Sequence, residues 1–247
     1  MARKLTLNCD LGEGFGPWKM GDDRNIMPLI DAANVACGGH AGDPSTMRAS
    51  VELAKRHGTE IGAHVSYPDK QGFGRRAMAL SGQELIDLLH YQIGALDGIA
   101  RAHGTRVTYV KPHGALYHAM LAEPLILNDI MSAVASWHAD LELVVLATPR
   151  DRKTQQLAVE HGLNLRYEAF ADRGYTSRGL LLGREKPGAL LNRFEAANQA
   201  IAIAQNNLRT PRGKRIPVSA DTLCVHSDTP GAVEMITAIR QAMDGLQ

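Results

Sequence analysis

Aromatic residues are scarce in this chain, at 5% of 247 residues, and cysteine occurs only three times. Neither charge sign prevails: 27 Lys and Arg face 26 Asp and Glu, for a net +1. Such a balance leaves no electrostatic footprint for nucleic acid, and no basic run alternates with aromatics that could stack on bases. Arg209, Arg212, Lys214 and Arg215 do cluster, but Thr210, Pro211 and Gly213 between them read as a solvated loop. Cys9, Cys37 and Cys224 stand at spacings that match no zinc or redox motif. With no signal peptide, they point to a reducing cytoplasm. The most apolar windows, Leu141 to Ala147 and Leu180 to Leu182, are far too short to cross a bilayer. Nucleotide motifs are missing as well. "GREKPGALL" lacks the Walker arrangement, "LGEGFG" lacks dinucleotide-binding spacing, and there is no HExxH.

What the chain has is an alternation of strand-like and helix-like runs with no linker between them. One domain over residues 1–247 is expected, since an α/β barrel commonly takes about 250 residues. Strands are predicted at Lys4–Cys9, Ala33–Cys37, Glu60–His64, Val107–Lys111, Leu141–Ala147, Asn164–Glu168 and Asp221–His226. Asp43 caps a helix that opens on Pro44 and stops at Gly58, and Ser81 with Glu84 reads as a capping box for a helix to His103. Further helices are expected at Pro124–His138, Arg152–His161, Glu195–Leu208 and Pro230–Met243, the last capped by Thr229. Thr176–Leu182 reads as an inserted ribbon over the active face. Runs such as "LELVVLA" are almost continuously apolar, as parallel strands covered on both faces are. About seven βα units fit either a closed parallel barrel or an open doubly wound sheet.

Polar residues gather at the carboxyl ends of these strands, in "LNCDLGE", "NVACGGHAGD", "IGAHVSYPD", "YVKPHGALYH", "YEAFADRGY" and "TLCVHSDTP". In a parallel barrel all such ends open onto one face. Asp10 and Glu13 are a carboxylate pair whose repulsion can raise one pKa and supply an acid or base. His40, His64 and His113 add imidazoles, and His118 follows five residues later. Lys111 could steady a developing oxyanion. Glu168, Asp172 and Arg173 form a second charged cluster, in which the guanidinium fork suits a carboxylate. His226 and Asp228 could be a base and its orienting carboxylate. Asp10, His40, His64 and His113 offer O and N ligands from separate strands for zinc or another transition ion. The residues alone leave open a metal-dependent amidohydrolase or deacetylase on a small amide or N-acyl sugar, and also a non-enzymatic ligand-binding subunit.

The six segments, in this order along the whole chain, resemble the LamB/YcsF family. That resemblance implies a distorted (β/α) barrel of the glycoside hydrolase/deacetylase kind. It implies a part in ATP-dependent hydrolysis of 5-oxo-L-proline to L-glutamate, with ATP as co-substrate and subunits B and C as partners. Among the relatives of that barrel, the polysaccharide deacetylases use an Asp and two His for a metal. Asp10, His64, Lys111 and His113 then fall in the catalytic positions. Glu13, His40, Glu168, Asp172, Arg173 and His226 fall around the substrate. The final segment departs from the family pattern at Ser227, where glycine is usual; a left-handed turn there would be strained.

Overall fold

Period-two alternation along the strands sorts their side chains between two environments. On the first strand Leu7, Cys9 and Leu11 join the main apolar core, while Asn8 and Asp10 make their contacts with side chains of other strands. The computed structural model describes residues 5–149, 152–228 and 231–245. Its strands are β1 (Thr6–Leu11), β2 (Ala32–Ala36), β3 (Glu60–Val65), β4 (Val107–Pro112), β5 (Glu142–Leu146), β6 (Asn164–Phe170) and β7 (Thr222–Val225). They pair in parallel in chain order, and β7 pairs with β1 to close the barrel, with Thr6 opposite Thr222. This closure decides between the barrel and the open sheet. Seven strands were expected and seven are present among the described residues.

Helices α1 (Asp23–Ile26), α2 (Pro44–His57), α3 (Gln83–Ala102), α4 (Gly114–Ala122), α5 (Pro124–Ala135), α6 (Arg152–Glu160), α7 (Arg193–Ala204) and α8 (Ala232–Asp244) link the strands. Asp43 accepts from the Ser45 and Thr46 amides at the start of α2, as expected. The Ser81–Glu84 capping box does not form. Gly82 occupies the N-cap of α3, and its amide donates to Asp129 instead. The real capping box is Asn192 with Glu195, which starts α7 two residues before the expected Glu195. Thr229 and Pro230 lie outside the described residues, and α8 spans Ala232–Asp244. Helix α4, starting directly after His113, was not expected from the sequence.

The lumen of the barrel is largely polar. Near its amino-terminal end Tyr109, Ala32 and Val144 form a small apolar plug separate from the main core. Gly62 makes room for that tyrosine: a Cβ on Gly62 would overlap the Tyr109 ring. Above the plug, polar side chains meet across the barrel, so the expectation of apolar strand faces on both sides holds for β5 and fails for β1.

Candidate active site

The site grows from the lumen upward. Tyr109 donates its hydroxyl to Asn34 Oδ1 (2.7 Å), and Asn34 Nδ2 donates to Asp10 Oδ1 (2.7 Å) and to Asn8 Oδ1 (2.8 Å). Asn8 in turn donates to the Thr222 hydroxyl (2.8 Å). Asp10 is thereby fixed in place by β2, β4 and β7. Lys111, from β4, lies 3.0 Å from Asp10 Oδ1, 3.0 Å from Glu168 Oε1 and 3.0 Å from Cys224 Sγ. Burial would lower the pKa of this lysine, but the Asp10 and Glu168 carboxylates outweigh burial and hold it well above the usual value. Burial would likewise raise Asp10, yet the neighbouring His64 and Lys111 pull it well below the ordinary carboxylate range. Glu168 moves up, because burial exceeds what Lys111 returns to it.

Beside this ion pair stand three imidazoles. His64 Nδ1 donates to the Lys111 carbonyl (2.9 Å), and His113 Nε2 donates to the Phe73 carbonyl (2.9 Å). Phe73 adopts a left-handed backbone, φ 52°, which is uncommon for a bulky residue and aims its carbonyl at the ring. His40 stacks on His113 with centroids 3.7 Å apart and planes 6° from parallel, and its Nε2 sits 3.0 Å from Glu13 Oε1. Gly74 backs this pair. A side chain there would press on both His40 and His113, and its φ of 65° already favours glycine. Burial pushes His40 and His113 well below the ordinary imidazole value, and the other imidazoles push the same way. Burial, helped by Asp10, pushes the Glu13 carboxyl up to about 8.

A cavity of about 240 Å³ opens over these groups. It is smaller than the roughly 300–1,000 Å³ of drug-sized sites, which suits a small polar ligand. Asp10, His64, Lys111, His113, Arg173 and His226 line it. Four residues expected to touch the substrate stand behind that lining instead. Glu13 and His40 lie beneath His113, Glu168 braces Lys111, and Asp172 holds His226. The expected pairing of His226 with Asp228 is not made. Its Nδ1 meets Asp172 Oδ2 at 2.8 Å, and Asp228 pairs with Arg75. Arg173 spends two of its donors on the Ala189 and Leu182 carbonyls. The ribbon over the site is real: Tyr175 bridges Leu181 in antiparallel fashion, and Leu181, Leu182 and Arg184 reach the cavity. Ser227 has no left-handed backbone and no strain; its hydroxyl donates to the Asp10 carbonyl (2.6 Å).

Glu13, His40, His64 and His113 form a group that could hold a metal ion, each offering one ligand atom within 4.8 Å of the others. The carboxylate in it is Glu13, where the sequence suggested Asp10. Asp10 Oδ1 is engaged by Lys111 and Asn34. Sequence reasoning also passed over Asn8, Asn34, Tyr109 and Phe73. Asn34 sits within a quoted segment, and polarity in the middle of a short strand was the signal that could have found it.

The profile of the LamB/YcsF family matches residues 5–246. The chain belongs to the LamB/YcsF family. It is 51% identical to a 5-oxoprolinase A subunit of Pseudomonas putida (the one numbered 2 there), over 100% of this chain and 96% of that protein. The crystal structure of a lactam utilization protein from Thermus thermophilus superposes with a TM-score of 0.92 at 40% identity, covering 98% of this chain and 97% of that one. A GH113 beta-1,4-mannanase, at 12% identity and TM-score 0.51 over 98% of this chain and 99% of its own, shares the barrel alone.

Proposed function

We propose that this chain is the A component of an ATP-dependent 5-oxoprolinase, which opens 5-oxo-L-proline to L-glutamate together with subunits B and C. The observation that carries the reading is the Asp10–Lys111 ion pair, which lines the cavity beside His64 and His113 in a family member half identical to a 5-oxoprolinase A subunit. A lactam is an amide and resists water at neutral pH. Phosphoryl transfer from ATP to the lactam oxygen would make the ring carbon electrophilic. Water then adds to that carbon, and Asp10 accepts its proton at Oδ2, because Oδ1 is engaged by Lys111 and Asn34. Lys111 stabilises charge on the tetrahedral centre. The C–N bond breaks, and the ring nitrogen receives that proton back from Asp10. A second water releases phosphate from the acyl phosphate. Arg173 and His226 face the substrate carboxylate.

The sequence carries no nucleotide loop, so ATP handling belongs to the partners. A divalent metal held by Glu13, His40, His64 and His113 would supply Lewis acidity beneath the cavity. Three free, buried cysteines support a reducing cytoplasm as the place of work. Among the described residues no helix is long and apolar enough to cross a membrane.

The test is lactam turnover by the complex reconstituted with B and C. Asp10→Asn and Lys111→Met are expected to lower turnover by about 10²-fold or more. Circular dichroism checks that each variant is folded, since Lys111→Met leaves two buried carboxylates without their cation. Near-normal turnover in folded Asp10→Asn would overturn the assignment.

A further inference from the structure

The proton count around the imidazoles does not close. A carbonyl oxygen only accepts, so His64 Nδ1 and His113 Nε2, each 2.9 Å from one, both carry hydrogen. In neutral rings the remaining nitrogens are then bare lone pairs. Those two nitrogens, His64 Nε2 and His113 Nδ1, face each other at 3.0 Å. Two lone pairs at that distance repel unless a cation lies between or beside them. An extra proton is poorly placed to be that cation. His113 is stacked 3.7 Å from His40, so an imidazolium there would lie against a second ring. The carboxylate oxygen nearest the His64 nitrogen, Asp10 Oδ2 at 3.4 Å, is too distant for a charge-assisted hydrogen bond, and that carboxylate already pairs with Lys111 through Oδ1.

Glu13 and His40 complete a different answer. Glu13 Oε1 lies 3.0 Å from His40 Nε2 and 3.8 Å from His113 Nδ1. His40 Nδ1 has no hydrogen-bond partner, so that ring is free to present Nε2 as an acceptor. Ligands about 2.0–2.1 Å from a tetrahedral zinc stand roughly 3.4 Å from one another. The three separations just given for Glu13, His40, His64 and His113, 3.0, 3.0 and 3.8 Å, bracket that value. The outward N–H groups of His64 and His113 rest on carbonyls, which is how ligating histidines are usually oriented.

We infer that Glu13, His40, His64 and His113 bind one transition-metal dication of the zinc class, through His64 Nε2, His113 Nδ1, His40 Nε2 and a Glu13 oxygen. Three imidazoles and one carboxylate suit Zn²⁺ or Co²⁺ and not Mg²⁺, which prefers oxygen and keeps its waters. The inference deepens the metal part of the functional reading and does not depend on the lactam. Asp10 stays outside the site, paired with Lys111.

The experiment uses the full chain, stripped with chelator and titrated calorimetrically with zinc, cobalt and magnesium salts. Zinc and cobalt are expected to bind at one per chain and magnesium not to bind. Cobalt should develop the intense visible absorption of a four-coordinate nitrogen and oxygen site. Glu13→Gln and His40→Ala should each weaken zinc at least about tenfold, since loss of a mere outer-shell partner typically costs 10–100-fold. His57→Ala, on the end of α2, should leave binding unchanged. Thermal unfolding with and without zinc gives a second readout: zinc should raise the midpoint of the parent chain, and less so in the two site variants. No zinc binding by the folded parent overturns the inference. So does binding that folded Glu13→Gln and His40→Ala leave intact. Neither result touches lactam turnover, which is measured separately in the complex.

Discussion

At the scale of single residues, the decisive contacts are hydrogen bonds that hold charged groups still. Asn34 Oδ1 accepts from Tyr109, so Tyr109→Phe leaves a buried acceptor without its donor. Such a loss costs about 1–3 kcal/mol, to be read by chemical denaturation, and turnover should fall with Asp10 no longer fixed. The Asp172–His226 pair gives a pH signature. Burial would lower His226, but Asp172 outweighs it and raises the imidazole above its usual value. Burial would raise Asp172, but His226 outweighs it and holds the carboxyl down. Stability from the raised histidine is complete below its unfolded value of about 6.5 and disappears as pH climbs through the raised one. Stability from the depressed carboxyl is complete above its unfolded value of about 3.9 and disappears as pH falls through the lower one. Asp172→Asn should flatten both limbs of the stability–pH profile and move the His226 NMR titration downward. An unmoved His226 titration would show that the pair does not form in solution. Chemistry-bearing residue types at strand ends were legible in the sequence. Their partners were not. Proximity along the chain suggested Asp228 for His226, whereas the barrel supplies Asp172 from the neighbouring strand end, and nothing in one sequence reports that choice.

Among elements, the strands and the capped helices were readable because local chemistry fixes them. Asp43, Pro44 and Gly58 bound α2 as expected. Helix α4 escaped notice because it follows Pro112 and opens on Gly114, both of which usually mark a turn. The failed Ser81–Glu84 box has a physical reason: Asp129 of α5 reaches Gly82, and a tertiary contact displaced the local one. The β3–β4 register shifts between Ile61 and Gly62, where Tyr109 enters the lumen. Gly62→Ala would drive a methyl into that ring. It should destabilise the chain by about 1–3 kcal/mol, as overpacking does, and should weaken Asn34 through Tyr109. Thermal unfolding measures the first effect and turnover in the complex the second. An unchanged melting midpoint would mean the strand relaxes without cost.

For the molecule as a whole, the barrel concentrates ionisable groups that lie far apart in sequence, and the six segments were enough to foresee that meeting. The polar lumen was not foreseen, because inward and outward positions are indistinguishable until closure is known. On the functional reading, the isolated chain should show no lactam-dependent ATP cleavage, and adding B and C should restore it. Vigorous cleavage by the chain alone would place nucleotide chemistry here and defeat that division of labour. The seam between β1 and β7 has a further consequence. Asn8 reaches Thr222, and the Asp10 carbonyl takes the Ser227 hydroxyl, 217 positions away. A growing polypeptide therefore exposes its acidic and imidazole side chains long before the final strand can close over them. Competence for chemistry arrives only once β7 has been made, and a product cut short before Thr222 would emerge with its ionisable groups unsheltered and inert.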